Sequence, residues 1–231
     1  MPVPRVSVII PTLNEAACIA DTLRRVQALP GPTECIVADG HSTDETRTCA
    51  SPHARICTSP RGRARQMNAG AAQATAPILL FLHADTKIPP SSWRRMHGAL
   101  QEASVHAGTF RLAFDTPTPL LRFYAWCTRW PWWGTAFGDR GLFIRRRHFD
   151  AVGGFAPLPI FEDLDMAYRL CQRGHFRFLD APVVTSARRF RAVGTVRQQM
   201  QNAALWLRYM TGTAPHDMAG AYRYDDHVRS G

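Results

Sequence analysis

Apolar residues along the first hundred positions fall in short runs, each cut off by proline, glycine or a residue able to cap a helix. Residues 5–10 (RVSVII) are β-branched and end at Pro11, which predicts a strand buried on both faces of a parallel sheet. Thr12 and Glu15 have capping-box spacing, predicting a helix over 16–29 that Pro30 and Gly31 terminate. The pattern then repeats. Residues 34–38 (ECIVA) read as a second strand, and Ser42 with Glu45 as a second capping box opening a helix to about Ala50. Residues 55–57 suggest a short third strand, 62–74 an alanine-rich helix, 77–82 (PILLFL) a central strand, and Pro89 and Pro90 the start of a helix to about Glu102. Strands alternating with helices predict an α/β fold with a doubly wound, mostly parallel sheet.

After His106 the alternation breaks. Strands are expected at 106–114, 141–146 (GLFIRR) and 175–179, with an aromatic-rich helix or loop over 120–133 between the first two. A helix over 161–173 has Gly174 as its C′ residue, and 193–209 and 214–222 complete a helical C-terminal segment. Neither an internal repeat nor a low-complexity linker is visible. The 231 residues, 45% hydrophobic and 20% charged, suit one domain. Its expected parts are the alternating half (about 1–105), the half after the break (about 106–190) and C-terminal helices (about 191–231).

The longest apolar run, 77–82, is far short of the roughly 18 residues that a membrane-spanning helix needs. The first residues carry no secretory leader pattern, so a cytoplasmic chain is expected, with contact to the inner membrane face left open. Six cysteines without CxxC spacing read as free thiols. The net charge of +10 favours polyanions, phosphorylated ligands or an anionic membrane surface without choosing among them. Lys87 is the only lysine, an arginine bias that composition explains as readily as phosphate recognition.

In open α/β sheets ligands bind beyond the carboxyl ends of the strands. The segment after the first strand, Pro11-Thr12-Leu13-Asn14-Glu15, has no glycine, which excludes the dinucleotide fingerprint, and the GxxxxGK[ST] phosphate loop is also missing. Carboxylates stand at strand ends instead: Asp39, Asp85, and the pair Glu162-Asp163 opening a later helix. Asp39 can accept the imide N–H of a uracil ring or can simply begin a turn. Asp44 and Asp165 read as ordinary helix acids.

The segments VSVIIPTLNEA, IVADGHSTDET, RGRARQMNAGA, LLFLHADT, GDRGLFIRR, GGF and FEDLDMAYRL stand in the order and spacing of the family 2 glycosyltransferases. The chain resembles that family over Val6 to about Leu170, and within it a short bacterial subgroup associated with radical-SAM proteins and arsenosugar biosynthesis. The resemblance implies the Rossmann-like A-type nucleotide-sugar fold, and an inverting, metal-dependent transfer of one sugar from a nucleotide-sugar, UDP-linked on the strength of Asp39, to an acceptor hydroxyl. It gives Asp163 the role of general base, with Glu162 orienting the acceptor or raising its pKa. It puts Pro11, Thr12, Asn14, Glu15, Asp39, Arg65, Asn68, His83, Ala84 and Asp85 around the donor, and leaves Arg63 undecided. Asp85 becomes the ligand of Mg²⁺ or Mn²⁺, although His83 stands where the family's metal motif has its first Asp. Gly138 and Asp139 correspond to the acceptor-side loop, and Arg188 and Arg189 to a flap. SARRF in place of QxxRW argues against processive polymer synthesis.

Around Phe123, Tyr124, Trp126, Trp130, Trp132 and Trp133 the sequence leaves core packing, a homodimer contact, acceptor stacking and membrane contact open. A nucleotidyltransferase is the alternative enzyme, disfavoured by the glycine-free first loop and the late acid pair. A nucleic-acid-binding protein ranks last, because the basic residues are spread without a recognised module and no nucleic-acid partner is expected.

Overall fold

The computed structural model describes residues 5–218, apart from the side chains of Arg189, Ala192 and Val193. Among the described residues eight strands form one sheet: β1 (Val6–Thr12), β2 (Thr33–Asp39), β3 (Arg55–Thr58), β4 (Ile78–Phe81), β5 (Thr86–Lys87), β6 (Ala107–Phe114), β7 (Leu142–Arg145) and β8 (Phe176–Thr185). Their spatial order is β3-β2-β1-β4-β7-β6-β8-β5. The first four are mutually parallel, as are β6 and β8. By contrast β7 runs against both β4 and β6, and the two-residue β5 against β8. The parallel half is the expected α/β unit, and the break in alternation after His106 is the place where β7 reverses direction.

Helices cover both faces, which the alternation along β1 explains. Val6, Val8 and Ile10 pack with Ile19, Leu23 and Val26 of α1 (Ile19–Gln27) and with Trp93 and Met96 of α4 (Pro90–Ala99). Ile9 points the other way, toward Ala64, Met67 and Ala71 of α3 (Arg63–Gln73) and Met166 and Leu170 of α7 (Glu162–Gln172). Burying each such Ile or Leu contributes about 2 kcal/mol. Gly70 lets α3 lie directly on the sheet: a Cβ there would stand 2.5 Å from Cγ2 of Ile9. The remaining helices are α2 (Thr46–Ala50), α5 (Pro119–Cys127), α6 (Arg146–Ala151), α8 (Arg188–Val193), α9 (Thr195–Met210) and α10 (Pro215–Met218). The sequence pattern did not predict α6, α8 or β5, each six residues or fewer. The expected helix over 214–222 is described only as α10, its remainder lying outside the described residues.

Both capping boxes are corrected. Pro11 and Thr12 belong to β1, in register with Ala38 and Asp39. Pro11 is tolerated because its missing N–H faces the β4 side, where pairing has already ended at Ile9 and Phe81. The first helix starts only at Ile19 without a side-chain cap, and the second starts at Thr46 rather than after Ser42. Thr12, Ser42 and Asp44 are used between the two loops instead. All six cysteines are free thiols. Among the described residues no helix is long and apolar enough to cross a membrane.

Candidate active site

Because β1, β2 and β4 are parallel, the residues just past Thr12, Asp39 and Phe81 meet at one edge of the sheet. Two of these loops are stitched together. Asn14 and His41 adopt left-handed backbone (φ 54° and 63°), which suits Asn and His better than most residues. The Asn14 amide donates to Ser42 Oγ at 2.9 Å, and Asn14 Oδ1 accepts from the Thr43 amide at 2.9 Å. The Glu15 amide donates to Thr46 Oγ1 at 2.7 Å and the Ala16 amide to Asp44 Oδ2 at 3.1 Å. Such hydrogen bonds hold Asp44 below the usual carboxylate range despite partial burial. Asp39 lies fully buried beneath this seam, accepting from the Ser42 amide (3.0 Å), Ser42 Oγ (2.5 Å) and Thr12 Oγ1 (3.4 Å). Of its two sequence readings, the turn is the one visible here.

Gln66, which the sequence did not single out, donates through Nε2 to the carbonyls of Thr12 (2.7 Å) and Ala38 (2.8 Å). It ties off the ends of β1 and β2. Its signal was its place on the inward face of α3 with Met67 and Gly70, where a polar side chain needs a partner.

A second group gathers past β4. The Ala84 carbonyl accepts from Thr22 Oγ1 at 2.6 Å, fixing the loop on α1. Asp85 lies 3.4 Å from Nε of Arg188 and accepts from Thr185 Oγ1 at 3.5 Å. Arg188 also pairs with Glu15, so residues from the loops after β1, β4 and β8 meet on one guanidinium. Glu15 and Asp85 push the Arg188 pKa still higher. Burial, with Glu15 beside it, pushes the Cys18 thiol up to about 12 and keeps it protonated. The side chain of Arg189 lies outside the described residues.

The third group contains the acid pair. The backbone enters α7 through Phe161 in left-handed conformation (φ 61°), uncommon for a bulky aromatic residue. Glu162 follows, buried, with its Oε1 2.7 Å from Nε of Arg63. Burial raises the Glu162 pKa while Arg63 opposes the rise. Asp163 accepts from the Leu164 amide at 2.8 Å through Oδ1 and from the Gly138 amide through Oδ2. A Cβ on Gly138 would stand 3.0 Å from both Asp163 Oδ2 and His83 Nε2, so residues from the loop after β4 and the start of α7 converge on this glycine. The same cavity is lined by Thr109, Phe137, Phe155 and Glu162. Oδ1 of Asp139 is sealed from solvent without a hydrogen-bond partner. Burial first, and the Asp163 charge second, push this carboxyl up to about 6.

Asn68 braces a turn: Nδ2 donates to the Phe155 carbonyl at 2.8 Å and Oδ1 accepts from the Phe155 amide at 2.9 Å. Arg65 is exposed, and Arg63 is the arginine of that segment that reaches the acid pair. Asp165 pairs with Arg169 one turn on, as an ordinary helix acid.

Against a divalent cation, the donor set is sparse. Among the described residues no three His, Cys, Asp or Glu side chains are grouped to hold a metal. Asp85 supplies one carboxylate and already has a guanidinium beside it. That arrangement does not suit a resident ion. It suits a cation that arrives with a diphosphate and keeps phosphate and water oxygens for the rest of its shell.

Residues 7–158 match the family model described as Glycosyl transferase family 2. The chain belongs to this family. It is 25% identical over 237 residues to the probable glycosyltransferase YdaM of Bacillus subtilis, covering 90% of this chain and 54% of the relative. The chain thus spans about half the length of that relative. A local match, 37% over 82 residues, covers 35% of this chain and 36% of an uncharacterized glycosyltransferase of Mycobacterium tuberculosis. Its fold is similar to that of the mannosyltransferase PcManGT from Pyrobaculum calidifontis in complex with GDP-Man and Mn²⁺ (TM-score 0.59, 23% identity, 79% of this chain and 56% of that one). Similar in fold, too, is glucosyl-3-phosphoglycerate synthase from Mycobacterium tuberculosis with Mn²⁺, UDP and glucosyl-3-phosphoglycerate (TM-score 0.61, 18% identity, 78% and 70%). A third is S. aureus TarS with UDP-GlcNAc (TM-score 0.62, 18% identity, 79% and 58%).

Proposed function

We propose that this chain transfers a single sugar, with inversion, from a UDP-sugar to an acceptor hydroxyl, using Asp163 as general base. The observation that carries the reading is the convergence of Asp163 and His83 on Gly138 at the carboxyl edge of the sheet. A base there can take the acceptor proton while the donor diphosphate occupies the loops after β1 and β4. Asp163 suits the task because two backbone amides fix its carboxylate while lone pairs remain for the acceptor.

In the proposed step the acceptor O–H proton passes to Asp163 as the oxygen attacks the anomeric carbon. The bond from that carbon to the diphosphate oxygen breaks on the opposite face, and its electron pair leaves with the nucleoside diphosphate. Arg63 and Glu162 position the base: their ion pair fills the space behind Asp163 with a compensated charge. Asp139 is a hydrogen-bond donor to the acceptor when protonated, which its raised pKa permits near pH 6. The loops joined at Asn14 and Ser42 cradle the nucleoside, with Pro11, Thr12 and Asp39 as their floor. Arg188 screens diphosphate charge as a flap. A divalent cation, when bound, would neutralise charge on the leaving diphosphate, and Asp85 is the residue that would hold it.

Titration calorimetry with UDP, with and without Mn²⁺, tests the donor side. Binding that strengthens with Mn²⁺ and loses that dependence in Asp85→Ala is the expected result. No binding of UDP under either condition contradicts the reading.

A further inference from the structure

Of the aromatic cluster that the sequence left open, Tyr124 packs against the buried Phe114, but the row beside it faces outward. Phe123, Trp126 and Trp130 are 60%, 50% and 61% exposed, although such side chains bury more area than almost any other. They form a row along α5 and just past it: Phe123 stacks on Trp126 (centroids 5.9 Å apart) and Trp126 meets Trp130 edge-on at 6.4 Å. Helix α9 packs against α5 and carries a second unpartnered row. Val196, Met200, Ala203 and Leu207 recur at helical spacing and all are exposed, Met200 by 70%. Trp132, edge-on to Trp206 of α9 at 5.8 Å, joins the two helices.

Along the two segments that carry these rows, charge has one sign. No Asp or Glu occurs between Asp115 and Asp139 or between Asp180 and Asp217, whereas Arg122, Arg129, Arg197 and Arg208 are exposed there. Tryptophan and phenylalanine flanked by arginine, without acids, match the interface of a bilayer that carries anionic headgroups. A nucleic acid fits less well, because the rings rest on one another rather than standing apart to receive bases, and the aliphatic row on α9 has no use in stacking. We infer that α5, the loop after it and α9 form a docking face for an anionic phospholipid membrane surface.

The face lies outside the catalytic residues, so its test is independent of sugar transfer. The protein is sedimented with vesicles of phosphatidylcholine alone and of phosphatidylcholine mixed with phosphatidylglycerol. It is expected to pellet with the mixed vesicles, more weakly at high salt, with a blue shift of tryptophan emission. Trp126→Ser with Trp130→Ser should lower the partition coefficient at least tenfold. Arg122→Gln and Arg129→Gln should each lower it about fivefold. Quenching of the wild-type tryptophans by brominated lipid reads the same insertion without any substitution.

Three results would overturn the inference. One is wild-type protein that stays in solution with both vesicles, and another is pelleting that neither pair of substitutions weakens. The third is light scattering that shows a dimer which Trp126→Ser with Trp130→Ser dissociates, in protein that ignores vesicles.

Discussion

The guanidinium of Arg188 lies 3.4 Å from Oδ2 of Asp85 and at the same time pairs with Glu15. Glu15 is buried and Asp85 only partly so, hence the two pairs differ in weight. Removing the arginine takes its guanidinium away from Glu15, a nearly buried carboxylate. Arg188→Met is expected to cost about 2 kcal/mol in denaturant unfolding at neutral pH. Adding Glu15→Gln should recover most of that loss, which a double-mutant cycle measures.

Asp139 makes stability depend on pH. Its folded-state pKa, about 6, is raised from the ordinary 3.8. The fold therefore favours the protonated form, and stability is fully present below about pH 4 and declines as pH rises through 6. Asp139→Asn removes the penalty. It should stabilise the protein by up to about 3 kcal/mol at pH 8, with the gain vanishing near pH 4. Unfolding midpoints across that range check it.

Gly138 has ordinary backbone angles but no room for a methyl group between Asp163 and His83. Gly138→Ala is expected to shift the base and lower turnover by tenfold or more. The melting temperature should move by only about 2 °C, because the displaced atoms are side-chain ends at the cavity wall. Kinetics and calorimetry on the same preparation separate the two effects.

Asn68 joins α3 to the turn at Phe155 through two hydrogen bonds. Asn68→Ala should cost about 2 kcal/mol of stability while leaving UDP affinity unchanged. A loss of affinity without a loss of stability would contradict a purely structural role and put Asn68 at the donor.

The parallel half of the fold was legible in the sequence because both of its signals are local. A β-branched run gives a strand buried on two faces, and a carboxylate after it lands at the binding edge. Pairing between distant side chains was not legible. Thr12 and Ser42 have the spacing of helix caps, yet Asp39 lies between their loops and takes both hydroxyls. Arg63 and Arg65 look equivalent in sequence, and only the fold puts the first on Glu162. The outward face of α5 was equally hidden. An aromatic row at helical spacing describes a core helix as well as a surface one, until the helix is placed.

The proposal that Asp163 removes the acceptor proton has one direct test. Asp163→Asn keeps the shape of the side chain and one of its two amide contacts but lacks the basic oxygen. With the donor and acceptor pair turned over by the wild type, the variant is expected to bind UDP with unchanged affinity and to lose about 10³-fold in kcat. Turnover within tenfold of the wild type would contradict the assignment of Asp163 as the base.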